Sequence, residues 1–216
     1  MKNTLYRFGD SWSVTQENRF GKIEQNHSYY VANHYEMGLN HLGRGGLGNL
    51  QIFKKILEQD KNYKKGDIIL INFASRSRTE VIDNVDYKPK REKQIKKIVV
   101  SSSNGDAFDT SNEILQKIVI NDLSFPIQDM IFFLIKPYLK SLIDRGINVY
   151  HFYNDITDCG LYEIENEINF DGYGYINWCD FNGYKDLTPK GNVHYKVGSQ
   201  KQIAEKIIEL IEKNDK

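Results

Sequence analysis

The chain has 216 residues, with 29 basic and 29 acidic side chains and a formal net charge of zero. That balance supplies no long-range pull toward nucleic acid or an anionic membrane, so neither is an expected partner. Apolar residues make up 40% and aromatic residues 12%, which suits one globular domain spanning 1–216 with a sizeable core.

Residues 5–8 form the first strand candidate, and they run directly into Gly9-Asp10-Ser11. A helix is expected over 29–35 and a second short strand over 37–42. Residues 43–48 hold four glycines in six positions and require a tight turn. Asn49 then stands where a helix N-cap belongs, followed by Leu50, Phe53, Ile56 and Leu57 at helical spacing. Residues 67–74 contain Ile-Ile-Leu-Ile-Asn-Phe, the pattern of a strand buried on both faces.

From 83 to about 110 the chain turns charged and aperiodic, which reads as a surface insertion with a turn over 101–105. A long helix is expected over 125–145, with apolar residues at 127, 130, 131, 134, 135, 138, 139 and 142. Pro126 fits its first turn, Pro137 predicts a kink, and Gly146 ends it. A strand over 147–153, a loop over 154–190 and a closing helix over 199–211 complete the chain. Strand and helix thus alternate, which predicts an α/β fold of three layers around a short parallel sheet.

No apolar stretch of the kind a secretory signal needs appears near the start, so synthesis in the cytoplasm is expected. The longest apolar run, 130–135, is too short to cross a bilayer. Cys159 and Cys179 are expected as reduced thiols, and their spacing makes no metal-ligand pattern. No cofactor is expected.

Ligands of parallel α/β sheets bind beyond the carboxyl ends of the strands, so residues just after a strand carry the chemistry. Ser11 is such a residue, and Gly9 permits the sharp turn that would expose its hydroxyl; an Asp-Ser helix cap is the plainer alternative. The glycines of 43–48 can aim a backbone N–H at a substrate oxygen. They lack the Lys-Ser/Thr ending of a phosphate loop, and their spacing is not that of a dinucleotide fingerprint. Asn72 is the lone polar residue in its strand, either an oxyanion donor or a satisfied structural amide. His194 lies shortly before the last helix, and nothing intrinsic separates it from His27, His34, His41 or His151.

Together these residues resemble the SGNH, or GDSL-like, hydrolases. Gly9-Asp10-Ser11 matches the first block, Gly46 the second and Asn72 the third, while His194 with the helix after it is similar to the last. The resemblance implies a flavodoxin-like SGNH hydrolase fold and an esterase or deacetylase. In it Ser11 is the nucleophile, His194 the general base, and Ser11, Gly46 and Asn72 supply the oxyanion donors. Two departures stand out. Asn72 lacks the usual preceding glycine and following aspartate, and Gly191 occupies the place of the acid expected three residues before His194. Asp186 and then Asp180 are the candidates to orient the imidazole, with a Ser-His pair as the alternative.

The implied substrate is a short acyl ester of a polar or carbohydrate molecule; aromatic groups such as Tyr153, Trp178, Tyr184 and Tyr195 favour it over a lipid. Residues 71–80 also look like members found in bacteriophage genomes, which adds the virion as an alternative location. The rival classes are a non-catalytic SGNH-fold module, glycan-binding or structural, and a nucleotide binder using the 43–48 turn.

Overall fold

The computed structural model describes residues 2–10, 26–43, 47–75, 78–83, 96–101, 124–187, 193–195 and 199–215. In chain order the first half gives β1 (Thr4–Gly9), α1 (His27–His34), β2 (Gly38–His41), α2 (Asn49–Glu58), β3 (Ile68–Phe73), β4 (Arg78–Asp83) and β5 (Lys96–Ser101). The second half gives α3 (Ser124–Asp144), β6 (Asn148–Tyr153), α4 (Tyr175–Phe181), β7 (Lys185–Leu187), β8 (Val193–Tyr195) and α5 (Gln200–Asn214).

β2, β1, β3 and β6 lie in that order in one parallel sheet. Every residue of β3 is buried, because alternate side chains enter two different cores. Ile69, Ile71 and Phe73 pack with α2 and α3, whereas Ile68 and Leu70 pack with α1, α4 and α5. The expected three-layer α/β arrangement is therefore present. β1 is followed in the sheet by β2 on one side and β3 by β6 on the other, so the carboxyl ends of these two neighbours form the switch point at which such sheets hold a ligand crevice.

Several local expectations need correction. Gly48, not Asn49, is the N-cap of α2, and its buried stripe runs through Ile52 and Ile56 while Leu50 and Leu57 are exposed. In α3 the core-facing residues include Gln128 and Phe132, while Met130 and Leu134 face outward. The helix continues through Pro137, which lies on the solvent side with residue 133, where water can replace the missing N–H donor. Part of the charged 83–110 stretch is ordered as β5, which pairs antiparallel with β4; the rest lies outside the described residues.

Residues 154–187 are not simply loop. They bury Ile164, Ile168, Phe170, Tyr175, Trp178 and Cys179 and contribute α4. Both cysteines are free thiols. No described helix is long and apolar enough to cross a membrane.

Candidate active site

The parallel register aligns Gly9 of β1 with Asn72 of β3, and Asn72 with Phe152 of β6. Gly9 has φ +154°, a conformation that residues with side chains rarely adopt, and the chain turns there into Asp10. Asn72 is fully buried at the end of an otherwise apolar strand, directly beside that turn. Ser11 and Gly46 themselves lie outside the described residues.

Asp10 is also fully buried, and its Oδ2 accepts a hydrogen bond from Asn154 Nδ2 at 3.0 Å. Asn154 follows β6, so this bond passes over the end of β3. The position of Asn154 is fixed by its backbone. Its N–H donates to the Phe73 carbonyl at 3.2 Å, and its carbonyl accepts from Ile176 N–H at 3.1 Å. Gly174 makes the approach possible, since a Cβ there would overlap the backbone of residues 154–156.

A second buried chain of contacts ties β1 to the start of α5. Arg7 is fully buried, with Nη1 donating to the carbonyls of Phe8 at 2.6 Å and Leu70 at 3.2 Å. Its Nη2 lies 3.4 Å from His27 Nε2, and His27 Nδ1 lies 3.0 Å from Gln200 Oε1. Arg7 can only donate, so His27 accepts at Nε2 and donates from Nδ1. Burial first, and the Arg7 charge second, push the His27 pKa well below its usual value and keep the ring neutral. Gln200 opens α5, so this network ties the start of that helix to β1.

His194 and Asp186 lie on β8 and β7, a two-stranded antiparallel pair in which their backbones are direct register partners. Asp180 sits at the exposed end of α4. Among the other histidines, His27 and His151 are buried, and His34 pairs with Glu212 at 3.1 Å on the outer side of α1. Tyr153 and Trp178 are core residues, 1% and 7% exposed, and do not line a substrate surface as the sequence suggested. Among the described residues no group of three or more His, Cys, Asp or Glu is placed to hold a metal ion.

Asn154 and Gln200 were not singled out from the sequence. Asn154 carried a usable signal, a polar amide directly after an apolar strand, which is the same signal that singled out Asn72.

No protein-family profile and no curated protein matches the chain. Its backbone is similar to those of several solved structures, among them the following three. The first is a member of the lipolytic G-D-S-L family from Veillonella parvula, at 13% identity over 95% of this chain and 96% of that one, with a TM-score of 0.47. The second is the acetyl xylan esterase Est2A from Butyrivibrio proteoclasticus, at 13% identity over 98% of this chain and 64% of that one, with a TM-score of 0.49. The third is the lipase Lip_vut3 from a goat rumen metagenome, at 13% identity over 96% and 97%, with a TM-score of 0.45.

Proposed function

We propose that this chain is an SGNH-type serine hydrolase that cleaves short acyl esters of a polar or carbohydrate substrate through an acyl-enzyme. The observation that carries this reading is the placement of Asn72, a fully buried amide in register with Gly9 at the crevice between β1 and β3. Ser11 follows Gly9 by two residues in the sequence, which supports a nucleophile close to that amide.

In the proposed reaction Ser11 Oγ attacks the ester carbonyl carbon while His194 takes its proton. The N–H groups of Ser11 and Gly46 and the Asn72 side-chain amide hold the oxyanion. Collapse breaks the bond to the alcohol, which leaves with the proton from His194. Water, deprotonated by His194, then attacks the acyl-enzyme and releases the acid. The backbone register of Asp186 against His194 supports Asp186 over Asp180 as the carboxylate that would hold Nδ1–H.

The test is a series of p-nitrophenyl esters from acetate to octanoate, assayed with wild type and Ser11→Ala. The wild type should hydrolyse the short esters best, and the folded Ser11→Ala protein should fall to the residual ~10³–10⁴ over water that binding and oxyanion contacts leave. Undiminished turnover in Ser11→Ala would remove the nucleophile. A folded wild type with no ester turnover would leave the non-catalytic, glycan-binding module.

A further inference from the structure

Asn49 makes an arrangement that a helix-capping residue does not need. It is fully buried at the start of α2, three residues after Gly46. Its Oδ1 accepts from the Ala74 N–H at 2.9 Å, and its Nδ2 donates to the Ala74 carbonyl at 3.0 Å. One side-chain amide thus engages both backbone groups of a single residue, as a neighbouring strand would. The second Nδ2 proton goes to Gln128 Oε1 of α3 at 2.9 Å, and Gln128 is itself 1% exposed. These bonds fix the Asn49 amide orientation: exchanging its oxygen and nitrogen would set oxygen against the Ala74 and Gln128 oxygens. Ala74 stands two residues beyond Asn72, where the sheet ends and the chain is no longer held by strand pairing.

We infer that Asn49 is a positioning residue that fixes the carboxyl end of β3, and with it Asn72, against the start of α2, and so sets where the Asn72 amide stands. This role rests on the proposed hydrolase reading. The apolar packing between the end of β3 and α2 resists separation but tolerates sliding. Transition-state donors lose their effect over shifts of about 1 Å, and such a shift costs about 10² in rate. Substrate binding depends far less on that placement.

The decisive experiment is a double-mutant cycle between Asn49 and Asn72, with ester hydrolysis measured per folded molecule. Asn49→Ala should lower kcat by about 10² and change KM less than about threefold. In an Asn72→Ala background the same change should cost less than about threefold, because the donor it positions is already gone. Asn49→Ser, which keeps a hydroxyl acceptor for the Ala74 N–H, should fall between the two and serves if Asn49→Ala folds poorly. Gln128→Met leaves both Asn49–Ala74 bonds in place and should keep kcat within about threefold. Equal losses in both backgrounds, or a lowered Tm with unchanged kcat, would overturn the role.

NMR of the substrate-free protein separates the two ways of failing. The Ala74 amide and Asn72 side-chain amide signals should move in Asn49→Ala and hold in Gln128→Met; unmoved signals overturn the positioning directly. Full activity in Ser11→Ala with those signals moved would instead overturn the hydrolase reading, and the catalytic role of Asn49 with it.

Discussion

At the carboxyl end of β3 the buried Asn49 amide uses both its oxygen and its nitrogen, each bonded to a backbone group. On the edge strand β6 the equally buried His151 ring has neither nitrogen in a hydrogen bond among the described residues. Its neighbours are the rings of Phe73 and Tyr153, with centroids 5.7 and 5.5 Å away, and Glu167, whose Oε2 is 4.0 Å from Nε2. That separation is too long for a hydrogen bond, and burial holds the imidazole neutral, with its pKa pushed down to about 3. Burial also raises the Glu167 pKa, although the carboxylate accepts the Gly160 N–H at 2.9 Å. A satisfied buried amide defines position; an unsatisfied buried ring only fills space, and it lowers stability whenever it must ionise. The two regions should therefore respond to mutation in different quantities, rate at the first and stability at the second.

The largest expected effect after the nucleophile itself lies with the orienting acid. Asp186→Asn should lower kcat by up to about 10⁴ with little change in Tm, because the wrong imidazole tautomer would face Ser11. Near-normal rates in both Asp186→Asn and Asp180→Asn would make the site a Ser-His pair. Next comes Asn72→Ala, expected to reduce kcat by about 10²–10³ at nearly constant KM. A strongly destabilised protein whose folded fraction keeps full activity would move Asn72 into the same class as His151.

The smallest effect, and the sharpest contrast, belongs to His151. The unfolded chain binds a proton at this histidine below its ordinary pKa of 6.5, whereas the folded chain resists until about 3. Stability contributed by the neutral ring is complete above pH 6.5 and is lost as pH falls toward 3. His151→Phe should leave kcat unchanged and shrink the stability loss between pH 8 and pH 5 by about 2 kcal/mol, measured by urea unfolding at each pH. An unchanged acid limb would mean that folding does not shift the His151 pKa, and a steeper one that the ring is protonated in the folded protein and paired with Glu167.

The same contrast explains what could be read in advance. β3 was legible because a strand buried on both faces must be apolar throughout, which made Asn72 conspicuous. The helices α3 and α5 were legible from their period, but the core-facing stripe of α3 was not, since Met130, Phe133 and Leu134 are apolar yet exposed. Asn49 was misread because an asparagine opening a helix fits a cap as well as a clamp, and its partner lies 25 residues away. The bond from Asn154 to Asp10 spans 144 residues and leaves no local pattern. The core of 154–187 escaped notice because Tyr175, Trp178 and Cys179 keep helical spacing over a helix of only 7 residues, and Phe170 lies outside it.

The proposed hydrolase stands on Ser11 as a nucleophile activated by His194. The most direct measurement is reaction of the intact protein with a fluorophosphonate, followed by peptide mapping of the adduct by mass spectrometry. The account predicts a single adduct on Ser11, with labelling slowed strongly in His194→Gln and absent in Ser11→Ala. No adduct on the folded wild type, or an adduct on another residue that persists in Ser11→Ala, would contradict it.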